Sequence, residues 1–237
     1  MVRNAEFFRP TEATSATKIL LPIIETPQAI TVLTEDIISL TGIRDLEGAS
    51  GLVPGFVAKG TYGGFDNRFS ARGFDLSVAE GILINGVQVA SNVDRDFIGV
   101  ERIEYLRGPT SIVLGTVNYG GAVNIITKRP GDVLEGSIAG EVGSWDLYRF
   151  QGEFGGPLNE SGTVRGYVAG AYEDRGGFRE GEELEKLPVR AALDIDLTEN
   201  TLFTLDLSAE NGEGNPTGIF SRDYARTNPL PEYVPID

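Results

Sequence analysis

The stretch "RIEYLRGPTSIVLG", residues 102–115, contains the change of local structure that decides how this chain folds. An alternating, strand-like run ends at Gly108-Pro109, and a short helix-like run follows and ends at Gly115. Proline lacks the amide donor that a strand ladder needs, and its fixed φ suits the first turn of a helix. The stretch therefore predicts a strand, a sharp break and a short helix, with Arg107 at the break.

Short strands and short helices are mixed on both sides of this break. Alternation and turn signals predict strands at residues 29–34, 68–74, 80–89, 99–106 and 121–128, and helices at 35–42 and 45–55. Thr34 is predicted to cap the first helix, and Asn85-Gly86 is predicted to form a tight hairpin turn. The mixture predicts an α+β unit over residues 18–130, preceded by a polar tail at 1–17.

After Pro130-Gly131 the helical patterns end and strict alternation begins. Five segments alternate, at residues 135–143, 147–154, 163–173, 189–197 and 201–210. Beyond a tight first connection, short turns alternate with long loops, the long ones at 174–186 and after 210. This rim pattern, with strands of about ten residues, is typical of an outer-membrane barrel. The alternative is a soluble antiparallel sheet with one solvent-exposed face.

Composition excludes several classes of function. The net charge is −15, which argues against nucleic acid as a partner. The chain has no histidine and no cysteine, so the commonest general base, the commonest metal ligand and all thiol chemistry are absent. It also lacks a nucleophile elbow, a Walker loop and a zinc pattern, and Asp94 and Asp96 lack the remaining ligands of a calcium loop. We expect no catalytic residues, no metal site and no enzyme.

Membrane helices and export signals are not expected either. The most apolar run, "ILLPII" at residues 19–24, is short and is interrupted by Pro22. The first residues lack the apolar core of a secretory signal, so no signal peptide is expected within this chain.

Several motifs of the first half resemble the plug domain of TonB-dependent siderophore receptors. They are "SATK" (15–18), "ETPQAITVLT" (25–34), "DLEGASGLVPG" (45–55), "ARGF" (71–74, similar to a strand of the family), "ILINGV" (82–87), "VERIEYLRGPTSIVLG" (100–115) and "YGGAVNIITKRP" (119–130). The chain departs from the family pattern at Val113-Leu114-Gly115 and at Tyr119-Gly120-Gly121. The resemblance implies an α+β plug domain at 18–130, followed at 131–237 by the first about five antiparallel strands of a transmembrane β-barrel.

The resemblance also implies a function without enzymatic chemistry. A receptor of this family takes up a ferric siderophore across the outer membrane, with energy from a TonB-type partner protein, and needs no cofactor of its own. The implied partners are therefore the ferric siderophore, the TonB-type protein and outer-membrane lipid. The alternatives are a receptor of the same architecture for cobalamin or a glycan, or a soluble periplasmic plug-like binding module. Loops that would point outward supply the candidate ligand contacts, which are Tyr62, Phe65, Asn92, Asp94 and Arg95.

Two arginines that precede glycine have a different implied role. In the resembling family, the arginines at the positions of Arg72 and Arg107 pair with glutamates of later barrel strands and lock the plug to the barrel wall. A barrel that encloses a plug has about 22 strands. The five alternating segments predict a fragment that lacks those later strands, and no TonB box, the segment that engages the partner, is recognised.

Overall fold

A computed structural model describes residues 10, 12–15, 21–26, 28–61, 67–76, 81–89, 95–109, 119–177 and 183–215. The described strands of the first part are β1 (Glu12–Ala13), β2 (Leu21–Pro22), β3 (Ala29–Thr34), β4 (Phe56–Thr61), β5 (Asn67–Ala71), β6 (Phe74–Leu76), β7 (Ile82–Ile84), β8 (Val87–Gln88), β9 (Val100–Arg107) and β10 (Gly121–Thr127). Those of the second part are β11 (Glu135–Gly143), β12 (Leu147–Pro157), β13 (Val164–Gly176), β14 (Glu183–Thr198) and β15 (Thr201–Asn215). The helices are α1 (Glu35–Thr41) and α2 (Leu46–Ser50).

The N-terminal unit is built on a five-stranded sheet with the order β3-β9-β10-β7-β8. Strand β10 runs parallel to β7, and the other neighbours are antiparallel. The strands predicted at 29–34, 99–106 and 121–128 are confirmed within one residue at each end. The predicted hairpin turn is confirmed too, because Asn85 and Gly86 have φ of 49° and 78° between β7 and β8. The helix predicted after Pro109 lies outside the described residues.

Both predicted helices of the N-terminal unit form, with corrections at their ends. Helix α1 ends at Gly42, whose φ of 66° is the left-handed conformation that glycine adopts easily. Thr34 occupies the N-cap position of α1, but its hydroxyl makes no capping hydrogen bond, so that prediction was wrong. Helix α2 is shorter than predicted and ends at Ser50, and Asp45 caps it by accepting a 2.7 Å hydrogen bond from the amide of Gly48.

A smaller sheet of three antiparallel strands, β4-β5-β6, adjoins α2. The Arg72-Gly73 pair of the "ARGF" motif was expected within a strand and instead forms the turn between β5 and β6. Both residues have positive φ, 53° and 82°, which reverses the chain and is incompatible with a continuous strand. Arg72 is therefore presented at the tip of a tight hairpin.

The core of the N-terminal unit lies between its five-stranded sheet and the layer formed by the helices and the smaller sheet. Ile103 and Tyr105 of β9 are fully buried there, together with Leu46 of α2 and Phe69 of β5. The rings of Tyr105 and Phe56 meet edge to face, with centroids 5.0 Å apart. Burial raises the pKa of the Tyr105 hydroxyl, and the nearby Asp45 carboxylate raises it further by a smaller amount.

The start of β10 is the tightest backbone contact of the unit. A Cβ placed on Gly121 would lie 2.0 Å from the carbonyl oxygen of Leu106, and Gly121 has a φ of 145° that favours glycine. A Cβ on Gly120 would lie 2.7 Å from the carbonyl oxygen of Ala71. Tyr119, one of the departures from the family pattern, is 63% exposed, and its ring centroid lies 6.2 Å from that of Phe74.

The opposite face of the five-stranded sheet carries a buried carboxylate, that of Glu104. It accepts hydrogen bonds from the amides of Thr14 and Ser15 and from Nε of Arg102, at 3.1, 2.8 and 2.8 Å. Burial alone would raise the pKa of Glu104, but the hydrogen bonds from Ser15 and Arg102 outweigh burial and hold this pKa below its usual value. Residues 12–15 of the predicted polar tail therefore contact the core sheet.

This carboxylate predicts an acid-dependent stability. A lowered folded-state pKa stabilises the fold at pH values above the ordinary pKa of 4.5, and the contribution is lost as the pH falls through the folded-state value. We expect the free energy of unfolding of the chain, measured by denaturant titration, to decrease below pH 4.5. The decrease should be shallower in Glu104→Gln. Parallel curves for the two proteins would contradict this assignment.

The second part of the chain is an antiparallel meander with the order β11-β12-β13-β14-β15, here called the meander. All five predicted strands are present, and this confirms the expected fold class of a plug-like α+β unit followed by about five strands. The predicted loop at 174–186 was too long, because β13 continues to Gly176 and β14 begins at Glu183. Strand β15 likewise continues to Asn215. Charged residues of these extensions lie within the ladder, for example Lys186, which stands opposite Glu173 of β13.

The two faces of the meander differ sharply in chemistry. The face away from the N-terminal unit exposes large apolar side chains: Ile138, Val142, Tyr148, Phe150, Phe154, Val168, Tyr172, Leu187, Val189, Phe203, Leu205 and Leu207. The face toward the N-terminal unit buries charged side chains: Arg149, Glu173, Arg190 and Asp194. No helix among the described residues is long and apolar enough to cross a membrane.

Candidate functional site

The N-terminal unit and the meander meet through charged groups, and the most buried of them surround Arg149. This guanidinium donates to the carboxylate of Asp96 at 2.7 and 2.9 Å and to that of Glu173 at 2.8 Å. The side chains of Arg149, Asp96 and Glu173 are 5%, 2% and 4% exposed. Arg44 pairs with Glu141 and approaches Glu173 at 3.6 Å. These five residues, Asp96 and Arg44 from the N-terminal unit with Glu141, Arg149 and Glu173 from the meander, are here called the Arg149 network.

A second contact is centred on Lys128, immediately after β10. Its ammonium donates to Glu35 of α1 and to Glu153 of β12, each at 2.7 Å. The hydroxyl of Tyr167 on β13 donates to the same Glu153 carboxylate at 2.7 Å. Burial alone would lower the pKa of Lys128, but the hydrogen bonds to Glu153 and Glu35 outweigh burial and raise this pKa. Lys128 thus remains charged and joins helix α1 to the meander.

A third contact lies at the β14–β15 side of the meander. Arg190 donates to the backbone carbonyl of Gly99 at 3.0 Å and pairs with Asp206 at 2.5 Å. The Asp206 carboxylate also accepts from Thr127 and from the Asn85 side chain, at 3.2 and 3.3 Å. The turn that follows β7 is thereby tied to the far strand of the meander.

Such an interface is specific in geometry. Charges buried at a contact lose hydration, and their pairing offsets that loss only when the partners are correctly placed. One position of the N-terminal unit against the meander is therefore strongly favoured. When the two parts separate, water can hydrate every one of these charged groups, which is not true of an apolar core. The arrangement can hold a domain in place and still permit its movement.

The structure places the two predicted lock residues close together, away from the meander contacts just described. The Arg107 guanidinium donates to the hydroxyl of Thr31 at 3.1 Å and to the carbonyl of Pro54 at 3.4 Å. A Cβ on Gly108, the residue after Arg107, would lie 3.4 Å from Nη1 of Arg72. Within the described ranges, neither arginine has a carboxylate partner, and Nε of Arg107 is buried without an acceptor. Their pairing with later strands stays a prediction.

Of the predicted ligand contacts, four lie outside the described residues: Tyr62, Phe65, Asn92 and Asp94. Arg95 is described and is partly buried. It lines a cleft between the N-terminal unit and β15, together with Asp206 and Glu210. The prediction that Arg95 contacts a ligand is not tested by this position.

Sequence reasoning missed the Arg149 network, although one signal was present. The alternation in residues 147–154 places Arg149 on the polar face of its strand, opposite Tyr148 and Phe150. What the alternation did not reveal was the partner, because Asp96 is 53 residues away in sequence. The folded structure brings Asp96, which follows the β7–β8 hairpin along the chain, against Arg149 of β12.

Comparison with known proteins agrees with this architecture. A family model described as "TonB-dependent Receptor Plug Domain" matches residues 22–122. The ferripyoverdine receptor of Pseudomonas aeruginosa is 31% identical over 216 residues, which cover 89% of this chain and 26% of that receptor. The ferric-pyoverdine M114 receptor PbuA of Pseudomonas sp. is 32% identical over 200 residues, covering 81% of this chain and 24% of that protein.

Solved structures show the same likeness. The crystal structure of the outer-membrane ferripyoverdine receptor of P. aeruginosa bound to ferripyoverdine is 29% identical with a TM-score of 0.76, covering 85% of this chain and 27% of that one. A P. aeruginosa FpvA complex with a heterologous pyoverdine has a TM-score of 0.81 at 28% identity, covering 88% and 28%.

The chain spans about a quarter of the length of the curated relatives it matches. These relatives are named as receptors and not as enzymes, in agreement with the expectation from composition. The matched segment contains the five-stranded sheet, both helices and the smaller sheet, and the structural match continues into the meander. Residues 22–122 therefore form a plug domain of the TonB-dependent receptor family, and the structural likeness to receptors of that family continues into the meander.

Proposed function

We propose that the chain is the plug and first barrel strands of an outer-membrane receptor that takes up ferric siderophores, with energy from a TonB-type protein. The observation that carries this proposal is the two-faced meander, which is apolar on the outside and ionically joined to the plug on the inside. The names of the relatives support a ferric siderophore as the transported ligand, ahead of cobalamin or a glycan.

The outer face of the meander supports a membrane location. Its large apolar side chains form a continuous exposed surface over neighbouring strands, far beyond the scattered apolar residues of a soluble surface. Lipid is the environment that such a surface fits, because an alternating strand in a barrel presents every second side chain to the bilayer. A soluble periplasmic module would have to cover this face with another partner.

We further propose the division of the chain and the roles of individual residues. Residues 1–17 precede the plug, 18–130 form it, and 131–237 begin the barrel. Contacts to the siderophore are assigned to loop residues that would face outward, Tyr62, Phe65, Asn92, Asp94 and Arg95. Arg72 and Arg107 are assigned to the lock between plug and barrel. Within the described part of the chain, Nε of Arg107 is buried without an acceptor, and this supports that last role because an additional acceptor would satisfy it.

A chimeric receptor tests the proposal. Residues 12–215 of this chain would replace the matching part of the ferripyoverdine receptor of P. aeruginosa, in a strain without that receptor. We expect the chimera to reach the outer membrane and to support energy-dependent uptake of iron-labelled ferripyoverdine. The same chimera with Arg107→Ala is expected to lose plug protection from protease. A chimera that inserts normally and binds none of a panel of ferric siderophores would contradict the proposed function.

A further inference from the structure

Residues ahead of the plug sheet are attached to it at two buried polar side chains, Glu104 and Asn124. Glu104 on β9 accepts the amide hydrogens of Thr14 and Ser15, at 3.1 and 2.8 Å. Asn124 on the neighbouring strand β10 donates from Nδ2 to the hydroxyl of Ser15 at 2.7 Å. Glu104 and Asn124 stand directly opposite each other in the β9–β10 pairing. One short segment therefore reaches both of them.

The side chains that form these hydrogen bonds are almost completely buried. Glu104 is 0% exposed, Asn124 is 2% exposed, and Ser15 is 5% exposed. A carboxylate removed from water needs hydrogen-bond donors, and among the described residues only Arg102 would remain to Glu104 if the segment left. The Nδ2 group of Asn124 would likewise lose its acceptor, although its Oδ1 would keep the amide of Gly86. Release of the segment therefore requires water to replace these hydrogen bonds.

Pairing between backbone groups contributes little to this attachment. Strand β1 has two residues and pairs only with the two-residue strand β2, and neither belongs to the plug sheet. Isolated two-residue pairing is weak, so the described part of the segment depends on side-chain bonds and on the burial of Ala13. A unit held in this way can open without unfolding the sheet beneath it.

We propose that Glu104 and Asn124 form a latch that holds residues 12–15 on the plug and sets how readily the chain ahead of β3 is released. The inference deepens the proposed function, on which its biological meaning rests, because a protein that pulls on the N-terminal side would load the latch before it loads β3. Strand β2 follows, and then β3, an edge strand of the plug sheet bonded to β9 alone. Among the described residues, the latch therefore lies ahead of β3 on the path from the N-terminal side to the plug sheet.

Hydrogen exchange of the 237-residue chain in detergent, read by mass spectrometry, tests the latch without ligand or partner. Glu104→Gln keeps the shape of the side chain and removes the charge that receives both amides. We expect exchange in the peptide that covers residues 12–15 to accelerate about tenfold or more, with β3, β9 and β10 unchanged. Ser15→Ala removes the hydroxyl that accepts from Asn124 and hydrogen-bonds to Glu104, but keeps both amide donors, and is expected to give a smaller acceleration in the same peptide. Glu160→Gln, in the exposed turn between β12 and β13, removes a charge remote from these contacts and is the control, expected to change nothing there.

Two results would overturn the latch. Unchanged exchange of residues 12–15 in Glu104→Gln would show that other contacts hold the segment. Equal acceleration over the segment and over β3, β9 and β10 in both variants would show that they open as one unit. The measurement involves neither siderophore nor energy transfer, so its outcome is independent of uptake by the chimera.

Discussion

Replacing Arg149 by methionine is expected to lower the free energy of unfolding of this chain by about 3–5 kcal/mol, the range found when one partner of a buried ion pair is removed. The variant leaves Asp96 and Glu173 as neighbouring buried carboxylates, 2% and 4% exposed, without the cation between them. Denaturant titration in detergent measures the loss. The fluorescence of Trp145, the only tryptophan, reports the state of the β11–β12 turn.

Arg165→Met is the matched control. Arg165 lies on β13 and pairs with Asp196 and Asp132, whose side chains are 35% and 86% exposed. Water replaces such a partner readily, so we expect a much smaller effect than at Arg149. The double variant Asp96→Asn with Arg149→Met should recover part of the loss, because one uncompensated charge is removed. Equal effects of Arg149→Met and Arg165→Met would contradict the special place given to the Arg149 network.

Gly121→Ala is expected to be the most damaging small substitution in the plug. The new Cβ would lie 2.0 Å from the carbonyl oxygen of Leu106, and neither backbone can move without breaking the β9–β10 ladder. The φ of 145° adds strain. Together, overpacking and backbone strain give a loss of roughly 3–5 kcal/mol. Thermal unfolding and the yield of folded protein are the measurements.

The control for this substitution is Gly140→Ala on β11. A Cβ on Gly140 meets no atom within 4 Å, so the change should be nearly neutral. A Gly121→Ala protein as stable as Gly140→Ala would mean that β10 starts elsewhere in solution.

Much of the architecture follows from the sequence because its signals are local. Alternation alone predicted the five strands of the meander, and Asn85-Gly86 predicted the hairpin, since a tight turn is decided by the residues within it. The Arg72-Gly73 turn was missed because arginine is rare at positive φ. Strand ends were misjudged at 174–186, where charged residues were taken for loop and instead pair across strands.

The candidate site was much less accessible to sequence reasoning. Arg149 and Asp96, or Glu104 and Ser15, are separated by 53 and 89 residues, and charge alone does not name a partner at such distances. The resemblance supplied Arg72 and Arg107 but not the contacts that join the plug to these first strands. Those contacts depend on how two units dock, which is a property of the assembled surfaces.

The growing length of the meander strands has a consequence for the height of the wall they build. The strands lengthen from 9 residues in β11 to 16 in β14 and 15 in β15. At about 3.3 Å per residue, β14 is roughly 50 Å long, and a tilt of about 40° still leaves it taller than the ~30 Å hydrocarbon layer. Its upper part carries Glu183 and Glu185, opposite Asn215 and Glu213. In a bilayer this end of β14 would extend beyond the hydrocarbon layer, and Glu183, Glu185 and Glu213 would place negative charge at that border of the sheet.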